Sequence, residues 1–214
     1  MKEEINRFPK RSERARQTRQ RVVSAAIHCF VADGYPATTM VEIAKRGEVA
    51  VQTLYATFET KRAILASAID IAIAGDDEPV PVNERPWMRP VWDATTGPAT
   101  LRAYAAAVRV IQERSAHLFR VLDSAAAVEP ELTELWQVSR ERRRFGAAGV
   151  VNAAVQHSPL SNGVTTEQAI DLLWTFNGHQ PYLDLVDECG WSPETYQNWL
   201  GDSLSQLLFG SGLA

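Results

Sequence analysis

The stretch TTMVEIAKRGEVAVQTLYATFETK, Thr38–Lys61, decides the fold. Thr39 followed three residues later by Glu42 fits a capping box, in which hydroxyl and carboxylate each satisfy an orphan N–H. Ile43 and Ala44 share one face of the short helix that follows, and Gly47 supplies a turn. A second short helix is expected from about Val49 to Ala56, with Phe58 closing the corner and Thr60 capping the next segment. Two short helices joined by a Gly-containing turn make a helix-turn-helix. In that motif the second helix enters the major groove, with side chains near its N-terminus at the base edges. Here it presents Val51, Gln52 and Thr53. Glutamine suits bidentate contact with adenine, and threonine suits a thymine methyl or a phosphate. The Tyr55 hydroxyl and the Lys61 charge suit phosphates. Thr39 adds a hydroxyl at a helix N-terminus.

Outward from this stretch the period is helical almost everywhere. Val22, Val23, Ala26, Ile27, Phe30 and Val31 stripe a preceding helix that Gly34 and Pro36 end. After it, KRAILASAIDIAIAG predicts a helix running to Gly75. Residues 76–98 are rich in proline and read as a linker with one helical turn. Helices are expected from Ala99 to about Ala127, from Pro130 at a first-turn position, and from roughly Thr166 to Glu188. Pro181 should kink the last of these near Gly178. Ser192 and Pro193 open a final helix striped by Tyr196, Trp199, Leu200, Leu204, Leu207 and Leu208. The chain reads as all-α, with about nine helices in two parts and no strand.

The 214 residues carry a net charge of -4, which by itself argues against a nucleic-acid partner. The distribution reverses that impression. Residues 1–62 hold 12 Lys and Arg against 7 Asp and Glu, a net of +5, and residues 63–214 a net of -9. A basic head on an acidic body points to a polyanion, because steering follows the local field and not the total. Lys10, Arg11, Arg14, Arg16, Arg19 and Arg21 form a basic N-terminal arm. It reads either as a solvated tail or as an arm on phosphates or the minor groove, where each neutralised phosphate would steepen the salt slope by about 0.9. No secretory leader and no 18-residue apolar run is evident, so a cytoplasmic protein with no membrane contact is expected. Cys29 and Cys189 then read as reduced thiols.

The constellation GYPATTM, IA, TLY, F and K, in this order and spacing between about Arg19 and Leu65, resembles the TetR family of transcriptional regulators. The resemblance implies a three-helix DNA-binding head (residues 1–62) with the helix-turn-helix. It also implies an all-α body (residues 63–214) that binds an effector and pairs with its twin. The candidate DNA-facing set is Arg21, Thr38, Thr39, Val51, Gln52, Thr53, Tyr55 and Lys61. The chain departs from the family pattern at Glu48, where glycine is usual in the turn, at Ala50, where serine is usual, and at Thr57. Ala50 offers no capping side chain, a loss of about 1 kcal/mol at that helix end. The function implied is a repressor released from a palindromic operator by a small molecule. The alternative is a small-molecule-binding helical dimer whose head has weak or lost DNA affinity.

In the body, PELTELW, RERRR and GWSPETYQNWL resemble the same family more loosely. The resemblance places a dimer interface on the last two helices, with Leu172, Leu183, Tyr196, Trp199, Leu200 and Leu204 as candidates. It also places an effector pocket between the middle helices. Candidates there are the aromatics Trp92, Tyr104, Phe119, Trp136 and Trp174, with the polar Arg109, His117 and Asn177. A mostly apolar cavity with a few polar groups suits a small apolar or aromatic effector. His179 and Phe176 neighbour this set, and a core role competes for each aromatic. RERRR, 140–144, reads as a charged helix face or as an anion site. The four histidines show no metal-ligand spacing, and no nucleophile elbow, P-loop or dinucleotide fingerprint is present. Neither enzyme, metal nor cofactor is therefore expected; the partners are double-stranded DNA, a second copy and the effector.

Overall fold

A computed structural model describes residues 7–210, with side chains from Glu13 onward. Among the described residues every regular element is helical. α1 spans Arg7–Ala37, α2 Met40–Arg46, α3 Val51–Thr57 and α4 Lys61–Ala74. The proline-rich stretch holds two 3-10 turns and the single-turn α5, Arg89–Trp92. α6 runs Gly97–Ala126, α7 Pro130–Val155, α8 Thr166–Phe176, α9 His179–Tyr182 and α10 Pro193–Phe209. The described residues thus hold ten α-helices where about nine helices were expected. The extra one comes from the break after Phe176, where a kink was predicted near Gly178. Past that break, Leu183–Glu188 winds as a π-helix.

The ends follow the local chemistry. Thr39, Thr60, Thr96, Thr165 and Ser192 each accept a backbone N–H at a helix start. Pro130 and Pro193 occupy first-turn positions, where a missing N–H costs nothing. α1 is interrupted at Gly34 (φ 79°, ψ 166°), and the chain then turns Tyr35 inward to stack on Phe30 at 5.6 Å.

Two buried clusters organise the molecule. One holds Val22, Phe30, Ile43, Leu54, Ile64 and Leu65 from α1–α4, with Leu118, Leu122 and Leu132 from α6 and α7. The head is therefore not an isolated bundle, because the start of α7 and the end of α6 close its core. The second cluster joins Leu101, Val108, Val150, Leu173, Tyr196 and Leu200 across α6, α7, α8 and α10. α10 lies close along α6: a Cβ at Gly201 would sit 3.2 Å from the Arg102 backbone.

That packing corrects four of the dimer candidates. Tyr196, Leu200 and Leu204 are 0% exposed and Leu183 is 3% exposed within one chain. Each side chain is already covered by its own subunit, where full burial is worth about 1.5–3 kcal/mol, so none faces a twin. Leu172 and Trp199 remain partly exposed.

Candidate functional site

The helix-turn-helix is held by a C-terminal motif that the residue types do not favour. Glu48 N–H donates to the Lys45 carbonyl, and Val49 N–H to the Ala44 carbonyl. This pair of bonds is the Schellman closure of α2. It puts Glu48 in the left-handed region, φ 51°, as the one non-glycine residue there among those described. α3 consequently begins at Val51, two residues later than expected. Its N-cap Ala50 makes no side-chain hydrogen bond. Gly47 is closely surrounded: a Cβ there would lie 3.2 Å from the Ile43 carbonyl and 3.4 Å from the Ala25 Cβ, so its neighbours would have to give by a few tenths of an ångström.

α3 buries Leu54 and leaves Val51, Gln52, Thr53 and Tyr55 outward, with Tyr55 51% exposed. Thr39 is exposed, and its capping box with Glu42 is closed in both directions. Those bonds, the Thr39 hydroxyl's first among them, hold the Glu42 carboxyl below its ordinary pKa. Arg21 is exposed on α1. These six residues share the exposed surface of the motif and the helix before it.

Two members of the candidate set turn inward. Thr38 is 1% exposed, and its hydroxyl donates to the Gly34 carbonyl at 2.8 Å. The Lys61 ammonium donates to the Tyr35 and Thr38 carbonyls at 2.7 and 2.9 Å and lies 4.1 Å from the centre of the Tyr35 ring. Burial pulls its pKa down, opposed by Glu129 and Glu131. Two of the three Lys61 N–H donors thus clamp the loop before α2, which leaves one for a phosphate. The hydroxyl of Tyr35 donates in turn to Glu131 at 2.6 Å.

The basic arm is a helical extension of α1 with divided loyalties. Arg16 grips Asp77 with two nitrogens at 2.7–3.1 Å. Arg19 donates to the Ser67 hydroxyl and lies over the Phe58 ring. Both fasten α1 to α4 and the loop beyond it. Arg14 and Arg21 stay exposed. The side chains of Lys10 and Arg11 lie outside the described residues.

In the body, the eight effector candidates do not form one group. Trp92 is exposed on α5 and donates its indole N–H to the Asn83 carbonyl. Arg109 is engaged by Gln197 and Glu113, and His117 by Arg120 beside Asp187. The other five converge at the break between α8 and α9. Asn177, buried, donates to the Tyr104 hydroxyl at 2.8 Å; its carbonyl accepts from Gln112, and its Oδ1 accepts from Arg143. Arg143 also donates to the Trp174 carbonyl and lies 4.7 Å from the centre of its ring. Next along the chain, His179 stacks on Phe119 at 5.9 Å and meets Trp136 edge-on.

Burial lowers the Arg143 pKa to about 10, and Tyr104 and Tyr196 partly restore it. Burial also lowers that of His179. Three participants stand outside the effector candidates: Gln112, and Arg140 and Arg143, which belong to the run read as a charged helix face or an anion site. The signal for the arginines was present in RERRR, because Trp136, Arg140 and Arg143 are spaced i, i+4, i+7 and share one helix face. Nothing in the sequence marks Gln112.

The comparisons agree with this geometry. Residues 22–68 match the family model for bacterial regulatory proteins of the tetR family. The chain is 25% identical over 158 residues, 73% of its length, to the uncharacterized HTH-type transcriptional regulator YdeS of Bacillus subtilis, 74% of which is covered. A putative TetR-family regulator from Rhodococcus superposes with TM-score 0.67 at 12% identity, over 90% of this chain and 98% of that one. FadR of Bacillus subtilis, solved with stearoyl-CoA, gives TM-score 0.66 at 17% identity, over 89% and 98%. At these identities the superpositions establish the fold, and they extend it through the body. Residues 22–68 thus carry the DNA-binding domain of the tetR family of bacterial regulatory proteins, and the chain as a whole has the fold of the TetR-family transcriptional regulators.

Proposed function

We propose that this regulator is a homodimeric repressor, released from a palindromic operator by a small molecule. In this reading residues 1–62 are the DNA-binding head and residues 63–214 the effector and dimerisation body. The observation that carries it is the division of labour on α3: Leu54 is buried while Val51, Gln52, Thr53 and Tyr55 face solvent. Gln52 and Thr53 read bases; Thr39, Tyr55 and Arg21 contact phosphates. A twin supplies the second recognition helix, so half-sites lie about one helical turn or more apart. The body is a ligand receptor rather than an enzyme, working in the cytoplasm, and the stearoyl-CoA held by FadR is a precedent for an amphipathic effector.

The route from body to head has two parts. α4 leads directly out of the helix-turn-helix, and the first turns of α7 touch the head through Glu131 on Tyr35 and Glu134 on Arg62. An effector that favours a shifted α7 would loosen Tyr35, and with it the Lys61 clamp on the loop before α2. Release requires that the effector bind the DNA-incompetent state more tightly.

Selection of random duplex DNA by the purified protein at two salt concentrations tests the first half. A two-fold symmetric site with steep salt dependence is the expected result. The second reading, a ligand-binding dimer with a weakened head, draws on the strained Glu48 and uncapped Ala50. Absence of any enriched sequence would favour it.

A further inference from the structure

The α8–α9 break gathers two arginines against a pair of tryptophans. Arg140 and Arg143 lie 4.8 and 4.7 Å from the centre of the Trp174 ring. Arg140 also lies 5.6 Å from Trp136. The other arginines of this run are paired: Arg142 with Asp70, Arg144 with Asp171 and Glu167. Among the described residues, neither Arg140 nor Arg143 has a carboxylate within 4.0 Å. Arg143 caps the carbonyl end of α8, which explains part of its placement. It does not explain Arg140, which makes no polar side-chain contact. Nor does it explain the interior beyond. There, Gln112 is 5% exposed and its Oε1 has no hydrogen-bond donor, and the buried Nε2 of His179 makes no hydrogen bond, its nearest carboxylate being Asp123 at 3.9 Å. Buried polar atoms without hydrogen bonds are rare, and a water or a ligand group can meet them.

We propose that this side-chain cluster, with Arg140 at its exposed edge, binds the carboxylate of an apolar or aromatic acid, with Arg140 and Arg143 holding the anion and Trp136 and Trp174 flanking its apolar part. The inference rests on the reading that the body holds an effector, and it names that effector's chemistry. A planar guanidinium matches a carboxylate in a two-point fork. The free acceptor of Gln112 and the free nitrogen of His179 lie deeper, where a hydroxyl or amide of the ligand can meet them. Entry separates α7 from the α8–α9 break, which is joined there through Arg143. The π-helical turn that follows is a kind of irregularity often found at functional sites.

The test uses the full chain with four probes: decanoate and 2-naphthoate, each beside its neutral amide. Titration calorimetry should find at least one acid binding, about tenfold or more tighter than its amide, the margin of one charge-assisted contact. Arg140→Ala, which removes no folding contact beyond stacking, should weaken that acid severalfold. Arg143→Lys keeps the charge but loses the fork, and should weaken it about tenfold. Amides binding as well as acids would overturn the anion assignment while leaving an effector pocket in place. Binding of none of the four, or acid binding indifferent to both arginine variants, would overturn it too. Acid binding that depends on both arginines but leaves operator affinity unchanged would support the site and refute induction.

Discussion

Replacing Glu48 by glycine should stabilise the protein, and the reason lies in the backbone rather than in any contact. Glu48 stands at φ 51° in the Schellman closure of α2. A left-handed backbone costs an L-residue about 1–2 kcal/mol. Glycine removes that cost but gains freedom in the unfolded chain, worth about 0.4–1 kcal/mol against folding. The net gain is about 0.5–1 kcal/mol, a rise in melting temperature of about 1–4 °C for a chain this long. Thermal melts of Glu48→Gly, Glu48→Asn and Glu48→Ala at one protein concentration check it. Asparagine, which tolerates the left-handed region, should gain part of the increment. Alanine keeps the strain while discarding the charge and should gain nothing. If Glu48→Ala rises as much as Glu48→Gly, charge repulsion is the cause and the strain argument fails. Operator affinity separates the same variants differently: a carboxylate near phosphate would make Ala and Gly bind equally better than the parent.

Ala50→Ser supplies the missing cap of α3 and should add about 1 kcal/mol to stability in the same melts, with no loss of operator affinity. Lys61→Ala should lower the melting temperature, by about 1–2 kcal/mol of stability, because two loop carbonyls lose their donor; a loss of DNA affinity with unchanged stability would return Lys61 to the phosphate contacts. Tyr35→Phe deletes the bond to Glu131 and should cost about 1 kcal/mol, while uncoupling effector binding from operator release in an anisotropy assay. Acid should destabilise the body through His179. Its pKa is lowered by burial and by Arg143 and Arg120, against the opposite pull of Asp123 and Asp184. Its neutral form is the folded one, so its contribution is complete above the unfolded value of about 6.5 and is lost as pH falls through that value toward the lowered one. His179→Gln should flatten that part of the melting profile between about pH 7 and 5.

The head was legible because its determinants are local. The capping box of Thr39 and Glu42, the Gly47 turn and the alternation of Leu54 with Gln52 and Thr53 are each decided within a few residues, and helix caps repeat that logic at Thr60, Pro130 and Ser192. What stayed hidden was where long side chains go. Thr38 and Lys61 sit in the stretch that the sequence marks as DNA-facing, yet their polar atoms bond carbonyls at 2.7–2.9 Å inside the head. Which carbonyls lie within reach is set by the Gly34 break and the fold of Tyr35, not by spacing along the chain. Gln112 was invisible for a related reason: a glutamine in a long helix faces solvent unless a neighbouring helix breaks opposite it, and that break belongs to another element 65 residues away.

The dimer candidates show a different limit. Periodicity reveals that α10 carries an apolar stripe at Tyr196, Leu200 and Leu204; it carries no information on whose surface covers the stripe. Here α6 of the same chain does, with Gly201 letting the two backbones approach. A face already covered cannot also meet a second copy, so any pairing through α8 and α10 must use the side chains left at their margins. Those margins are aromatic: Phe176, Trp191 and Trp199 form a partly exposed edge-to-face series at 5.8 and 6.0 Å. Aromatic residues with one wet face are what association surfaces concentrate. The same helices can therefore still form the interface, but through an edge one step around from the stripe.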